Sequence, residues 1–82
     1  MDDSYEGRIN KQIQSENGVK IKSRKREDGQ GEVLLVRYDD DEFGPEYGVW
    51  LTDYKEKNMF WPEYYGRYKE AVSVYKDMEM HW

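Results

Sequence analysis

From Val19 onward the chain alternates, with Val19, Ile21 and Ser23 interleaved among Lys20, Lys22, Arg24 and, two further on, Arg26. A period of two is the mark of a strand, because successive side chains leave opposite faces of the backbone. The pattern predicts a strand with one basic face. Glu27-Asp28-Gly29-Gln30-Gly31 follows, and its Asp-Gly step and second glycine suit the positive φ of a tight reversal. Glu32 to Tyr38 then reads as the returning strand, continuously apolar at Val33-Leu34-Leu35-Val36 and therefore central.

Asp39-Asp40-Asp41-Glu42-Phe43-Gly44-Pro45-Glu46 reads as an acidic connection, since adjacent carboxylates repel and Gly-Pro marks a loop. Tyr47 to Tyr54 resumes strand character, and alternation puts Tyr47, Val49 and Leu51 on one face with Trp50, Thr52 and Tyr54 on the other. Lys55-Glu56-Lys57-Asn58 is a polar turn. Met59-Phe60-Trp61 makes a short fourth strand, closed by Pro62, which has no amide proton for a ladder. From Tyr65 or Gly66 the period lengthens: Tyr68, Ala71, Val72, Tyr75 and Met78 form one stripe of an amphipathic helix.

Before the hairpin, Ile9 and Ile13 fit one helical face but also share parity in a strand, and Gly7 and Asn10 weaken a helix. Residues 1–17 are accordingly expected to be a flexible or loosely docked N-terminal arm. Residues 18–82 form a single α+β domain: a small antiparallel sheet of three to four strands with one C-terminal amphipathic helix packed on one face. An apolar helical stripe and a half-apolar sheet each need the other.

Composition bounds this picture. Eighty-two residues support one small core. At 37% hydrophobic and 38% charged that core is sparse, and the 16% of aromatic residues must supply much of it. Cysteine is absent, so no disulfide or thiolate staple exists. The longest uninterrupted apolar run, Val33 to Val36, is far below the roughly 18 to 20 residues that cross a bilayer. The N-terminus is acidic rather than signal-like, so a soluble, cytoplasmic chain without a membrane partner is expected.

The net charge of −5 is unevenly placed: residues 1–26 carry seven Lys or Arg against four Asp or Glu, and residues 27–82 carry six against fourteen. An acidic surface repels phosphate backbones and complements a basic protein. Catalysis is not expected, because the single histidine, His81, is the penultimate residue and the consecutive aspartates lack the contrasting environments that separate acid from base. Nor is a metal or cofactor. Starting a calcium loop at Asp39 puts Phe43 at its fifth position and Trp50 at its twelfth, where a bidentate glutamate belongs.

Two binding surfaces remain. Lys20, Lys22, Arg24 and Arg26 at alternate positions could follow a single-stranded nucleic acid, although lysines on an edge strand also guard a sheet against association. Ten rings lie between Tyr38 and Tyr68, more than so small a domain can bury. Trp61 and Tyr68 are expected in the core; Phe43, Tyr64 and Tyr65, beside Gly or Pro, are expected at an interface. In class and charge the chain is similar to accessory proteins of phages and mobile elements that block a host enzyme by offering carboxylates to a basic groove. That resemblance implies a non-enzymatic protein-binding module, an inhibitor docking on a basic, nucleic-acid-binding partner. The surface would be Asp39, Asp40, Asp41, Glu42, Phe43, Glu46, Tyr64 and Tyr65. The alternatives are a small nucleic-acid binder and a structural homodimer.

Overall fold

The computed structural model describes residues 4–39, 42 and 44–77. Its elements run α1 (Tyr5–Ser15), β1 (Gly18–Lys25), β2 (Glu32–Tyr38), β3 (Glu46–Asp53), β4 (Asn58–Tyr65) and α2 (Tyr68–Asp77). The four strands form one antiparallel meander in the order β1-β2-β3-β4. This is the α+β sheet with a C-terminal helix that the hydrophobic pattern predicts.

Alternation along β2 divides the core in two. Val33 and Leu35 join Val49, Leu51, Ala71 and Tyr75 beneath α2, while Leu34 and Val36 join Met59, Ile9 and Ile13 beneath α1. The continuous Val33–Val36 run is thus buried on both faces, as a central strand requires. Each helix covers one face, and the sheet is the middle of three layers. Within α2 the middle of the expected stripe packs on the sheet, with Ala71 and Tyr75 buried and Val72 against them, whereas Tyr68 is exposed. Arg24 ties its end to β1 by donating from Nε and Nη2 to the Tyr75 carbonyl at 3.1 and 3.0 Å, satisfying an acceptor that the helix leaves open.

The N-terminal segment differs from the loosely docked arm expected over 1–17. Residues 5–15 are helical, and Ile9 and Ile13 are each only 3% exposed. Ser4 caps the helix by accepting the Gly7 amide at 3.1 Å, and Asn17, at φ 60°, ends it in the left-handed conformation that asparagine tolerates. Burial of two isoleucines outweighs the weak propensity of Gly7 and Asn10. Tyr5 adds a polar tie: its hydroxyl donates to Glu32 Oε1 at 2.7 Å, so Thr52 Oγ1, 2.6 Å away, donates to it.

Two backbone offsets correct the strand reading. In β1 the register shifts between Lys20 and Lys22, opposite Val36 and Leu35 respectively, which leaves Ile21 as an extra residue. Lys20 therefore shares the α1 face with Val36, whereas Lys22 and Arg24, opposite Leu35 and Val33, lie on the α2 face. The single basic face does not form. In β4, Pro62 does not end the strand: Trp61 and Pro62 together oppose Trp50, and pairing resumes at Glu63. A bulge on an edge strand has no ladder bond for proline to break.

Candidate functional site

Among the described residues, the sequence-predicted site residues are spread over both faces of the sheet. Asp39 is exposed and accepts Arg37 Nε at 3.0 Å; Glu42 and Glu46 are exposed. Asp40, Asp41 and Phe43 lie outside the described residues, as do Met78 and His81. Tyr64 pairs with Gly48 on the α1 face, whereas Tyr65 pairs with Tyr47 on the α2 face and donates to Glu63 at 2.7 Å. Trp61 and Tyr68 are not core residues, being 58% and 42% exposed. The bulge turns Trp61 outward, and Tyr68, in the first turn of α2, meets the ring of Tyr47 at 5.5 Å at the rim of the sheet.

The basic candidates are also dispersed. Arg24 is engaged at the end of α2, with its guanidinium 5.6 Å from the Tyr75 ring. Arg26 is 7% exposed. It donates to the Thr52 carbonyl at 2.7 Å and to Asp28 at 2.5 Å, and it lies over the Phe60 ring. Its Nε has no hydrogen-bond partner, so this guanidinium belongs to the packing of the β1–β2 connection against β3.

What the fold does assemble is an acidic aromatic corner on the α1 face, at the end of the sheet where β1 begins. Tyr38, at the end of β2, lies over two glycines. A Cβ on Gly18 would come within 2.8 Å of Tyr38 Cε1, and one on Gly48 within 3.0 Å of Cε2, so the ring rests on bare backbone of β1 on one side and β3 on the other. Trp50 Nε1 donates to the Tyr38 hydroxyl at 2.9 Å. Tyr64 stands edge-on to Trp50 at 6.1 Å and 89°, and 6.1 Å from Tyr38. Tyr64 is 45% exposed, whereas Tyr38 and Trp50 are half-buried.

Two carboxylates border these rings. Glu46 opposes Tyr38 across the β2–β3 ladder, on the same face, and Glu16 follows the last turn of α1. Their field is felt by the phenols. Burial above all, joined by the charges of Glu16 and Glu46 and opposed by the bond that Trp50 donates, leaves the Tyr38 hydroxyl pushed up to about 12. Tyr64 is raised for the same reasons, burial first and then the same two glutamates. Beside the rings a cavity of about 60 Å³ opens between Gln12, Ser15, Glu16, Tyr38, Trp50 and Met59.

Electron-rich ring faces next to two carboxylates make a receptor for a cation, above all a guanidinium, which stacks on an aromatic and pairs with a carboxylate at once. Of the sequence-predicted residues that the structure describes, Glu46 and Tyr64 belong to this corner. Glu16, Tyr38 and Trp50 were missed, although glycines inside strand patterns at 18 and 48 mark places where another group approaches the backbone. Among the described residues no group of three or more His, Cys, Asp or Glu could hold a metal ion, and no helix is long and apolar enough to cross a membrane. No protein-family model, curated protein or solved structure matches the chain, so its functional reading rests on this geometry.

Proposed function

We propose that the protein is a non-enzymatic binding module that docks on a basic segment of another protein through the corner formed by Glu16, Tyr38, Glu46, Trp50 and Tyr64. The observation that supports this is the adjacency of two carboxylates to three mutually packed rings, one of them well exposed. Such surfaces bind by burying a rigid ring at little entropic cost while charge selects the partner and speeds encounter. When the gripped segment belongs to a nucleic-acid-binding groove, occupancy competes with phosphate, and the module then acts as an inhibitor. The nucleic-acid alternative is weaker. Two of its four cations, Arg24 and Arg26, are spent on internal bonds, and Lys20 and Lys22 diverge across the sheet.

Titration with an arginine-rich peptide, followed by tryptophan fluorescence and by amide shifts of residues 16, 38, 46, 50 and 64, tests the reading. Replacing both carboxylates, Glu16→Gln with Glu46→Gln, is expected to weaken binding by about tenfold or more and to flatten its salt dependence. Equal affinity of the double variant, or equal binding of a glutamate-rich control peptide, would remove the proposal.

A further inference from the structure

A second surface lies along β1, reaching onto the other face of the sheet from the acidic corner. Among the described residues the sheet ends at β1, which presents one unpaired backbone edge. Val19 and Ile21 on that strand are 59% and 38% exposed. They line an open groove of about 460 Å³ together with Arg37, Asp39, Tyr47 and Tyr68. The bulge at Ile21 adds Lys22 to this α2 side, while Lys20 and Lys25, opposite Val36 and Glu32, flank the edge on the α1 side. A strand laid along β1 would therefore meet lysines on both of its faces and an apolar trough on one.

We infer that the β1 edge accepts an extended acidic peptide segment of a partner, with carboxylates facing Lys20, Lys22 and Lys25 and an apolar side chain seated over Val19 and Ile21. Main-chain hydrogen bonds supply affinity in this mode, and alternate side chains supply specificity. Charge selects the occupant. A second copy of β1 would set lysine against lysine, which opposes pairing. A nucleic-acid strand tracks one row of cations; here the lysines point to two faces, so β1 offers no such row. Guarding against aggregation explains the lysines but not the exposed Val19 and Ile21 beside them. This surface is independent of the acidic corner, so either assignment can fail alone.

The test is an amide NMR titration with an acetylated, amidated peptide of alternating Val and Glu, beside the same peptide methylated at its backbone nitrogens and a single-stranded oligouridine. Binding of the unmethylated peptide alone is expected. It should slow hydrogen exchange at those β1 amides that do not bond to β2, and affinity should fall at least tenfold in Lys20→Glu with Lys22→Glu, two exposed substitutions whose folded state the same spectra verify. Equal binding of the methylated peptide shows contact through side chains only and overturns the proposal. So does preferential binding of oligouridine, or slowed exchange without peptide accompanied by concentration-dependent sedimentation, which assigns the edge to a second copy.

Discussion

Trp61 carries the least comfortable backbone in the described chain, a φ of 54° on a bulky residue immediately before proline. Left-handed φ costs a non-glycine residue about 1–2 kcal/mol, and the Pro62 ring restricts its predecessor further. The bulge imposes this conformation, since Trp61 and Pro62 together must face Trp50 while Glu63 returns to register. In an ordinary strand position, glycine is less stable than alanine by roughly 0.5–1 kcal/mol. Here the order should reverse: Trp61→Gly is expected to unfold at higher denaturant than Trp61→Ala, by about 1 kcal/mol, because both remove the ring but only glycine relieves the strain. Urea titration of the two variants checks it, and an alanine variant equal to or above the glycine one would mean the bulge relaxes on its own.

At the scale of elements, α1 is the clearest case of tertiary packing deciding local structure. Its sequence contains Gly7, Asn10 and little apolar content, and the spacing of Ile9 and Ile13 is consistent with helix and strand alike. What settles the matter is an open sheet face presenting Leu34, Val36 and Met59, which the two isoleucines close. Ile13→Ala should accordingly cost about 2–4 kcal/mol, with loss of a share of the helical circular dichroism before the sheet unfolds. Measurement by chemical denaturation with both far-ultraviolet and tryptophan signals follows the helices and the tryptophan surroundings separately; an effect under 1 kcal/mol would show α1 to be dispensable. The strands and α2 were legible because period two and period 3.6 persist over whole elements. The two bulges were not, since a one-residue offset leaves composition and hydrophobicity unchanged and only the partner strand reveals it. Reading Pro62 as the end of β4 scattered the expected site: the strand continues to Tyr65, so Tyr64 and Tyr65 alternate and emerge on opposite sides of the sheet.

For the molecule as a whole, phenols tie both layers to the sheet. Tyr5, Tyr38, Tyr54 and Tyr64 beside α1, and Tyr65 and Tyr75 on the α2 side, are all raised above the ordinary value of 10.0; burial is the largest cause for all but Tyr65, whose bond to the Glu63 carboxylate comes first. A phenol with a raised folded value favours the neutral form, so its contribution to stability is complete below pH 10 and is lost as pH climbs toward the folded value, about 12 for Tyr38. Stability should thus be insensitive to pH through the neutral range and fall steeply on the alkaline side. In Tyr38→Phe that fall should be shallower, as read from denaturation midpoints alongside tyrosinate absorbance. A wild-type curve already declining below pH 9, or identical slopes in the two proteins, would contradict this assignment. The offset at Ile21 has a consequence at the same scale. In an unbroken register Lys20, Lys22 and Arg24 would all emerge on one broad side of the molecule; the extra residue divides them, spreading positive potential over both sides while leaving the total charge untouched. Electrostatic handedness is here a property of counting rather than of composition, because one supernumerary position in an edge strand decides how the cations are shared between the two sides.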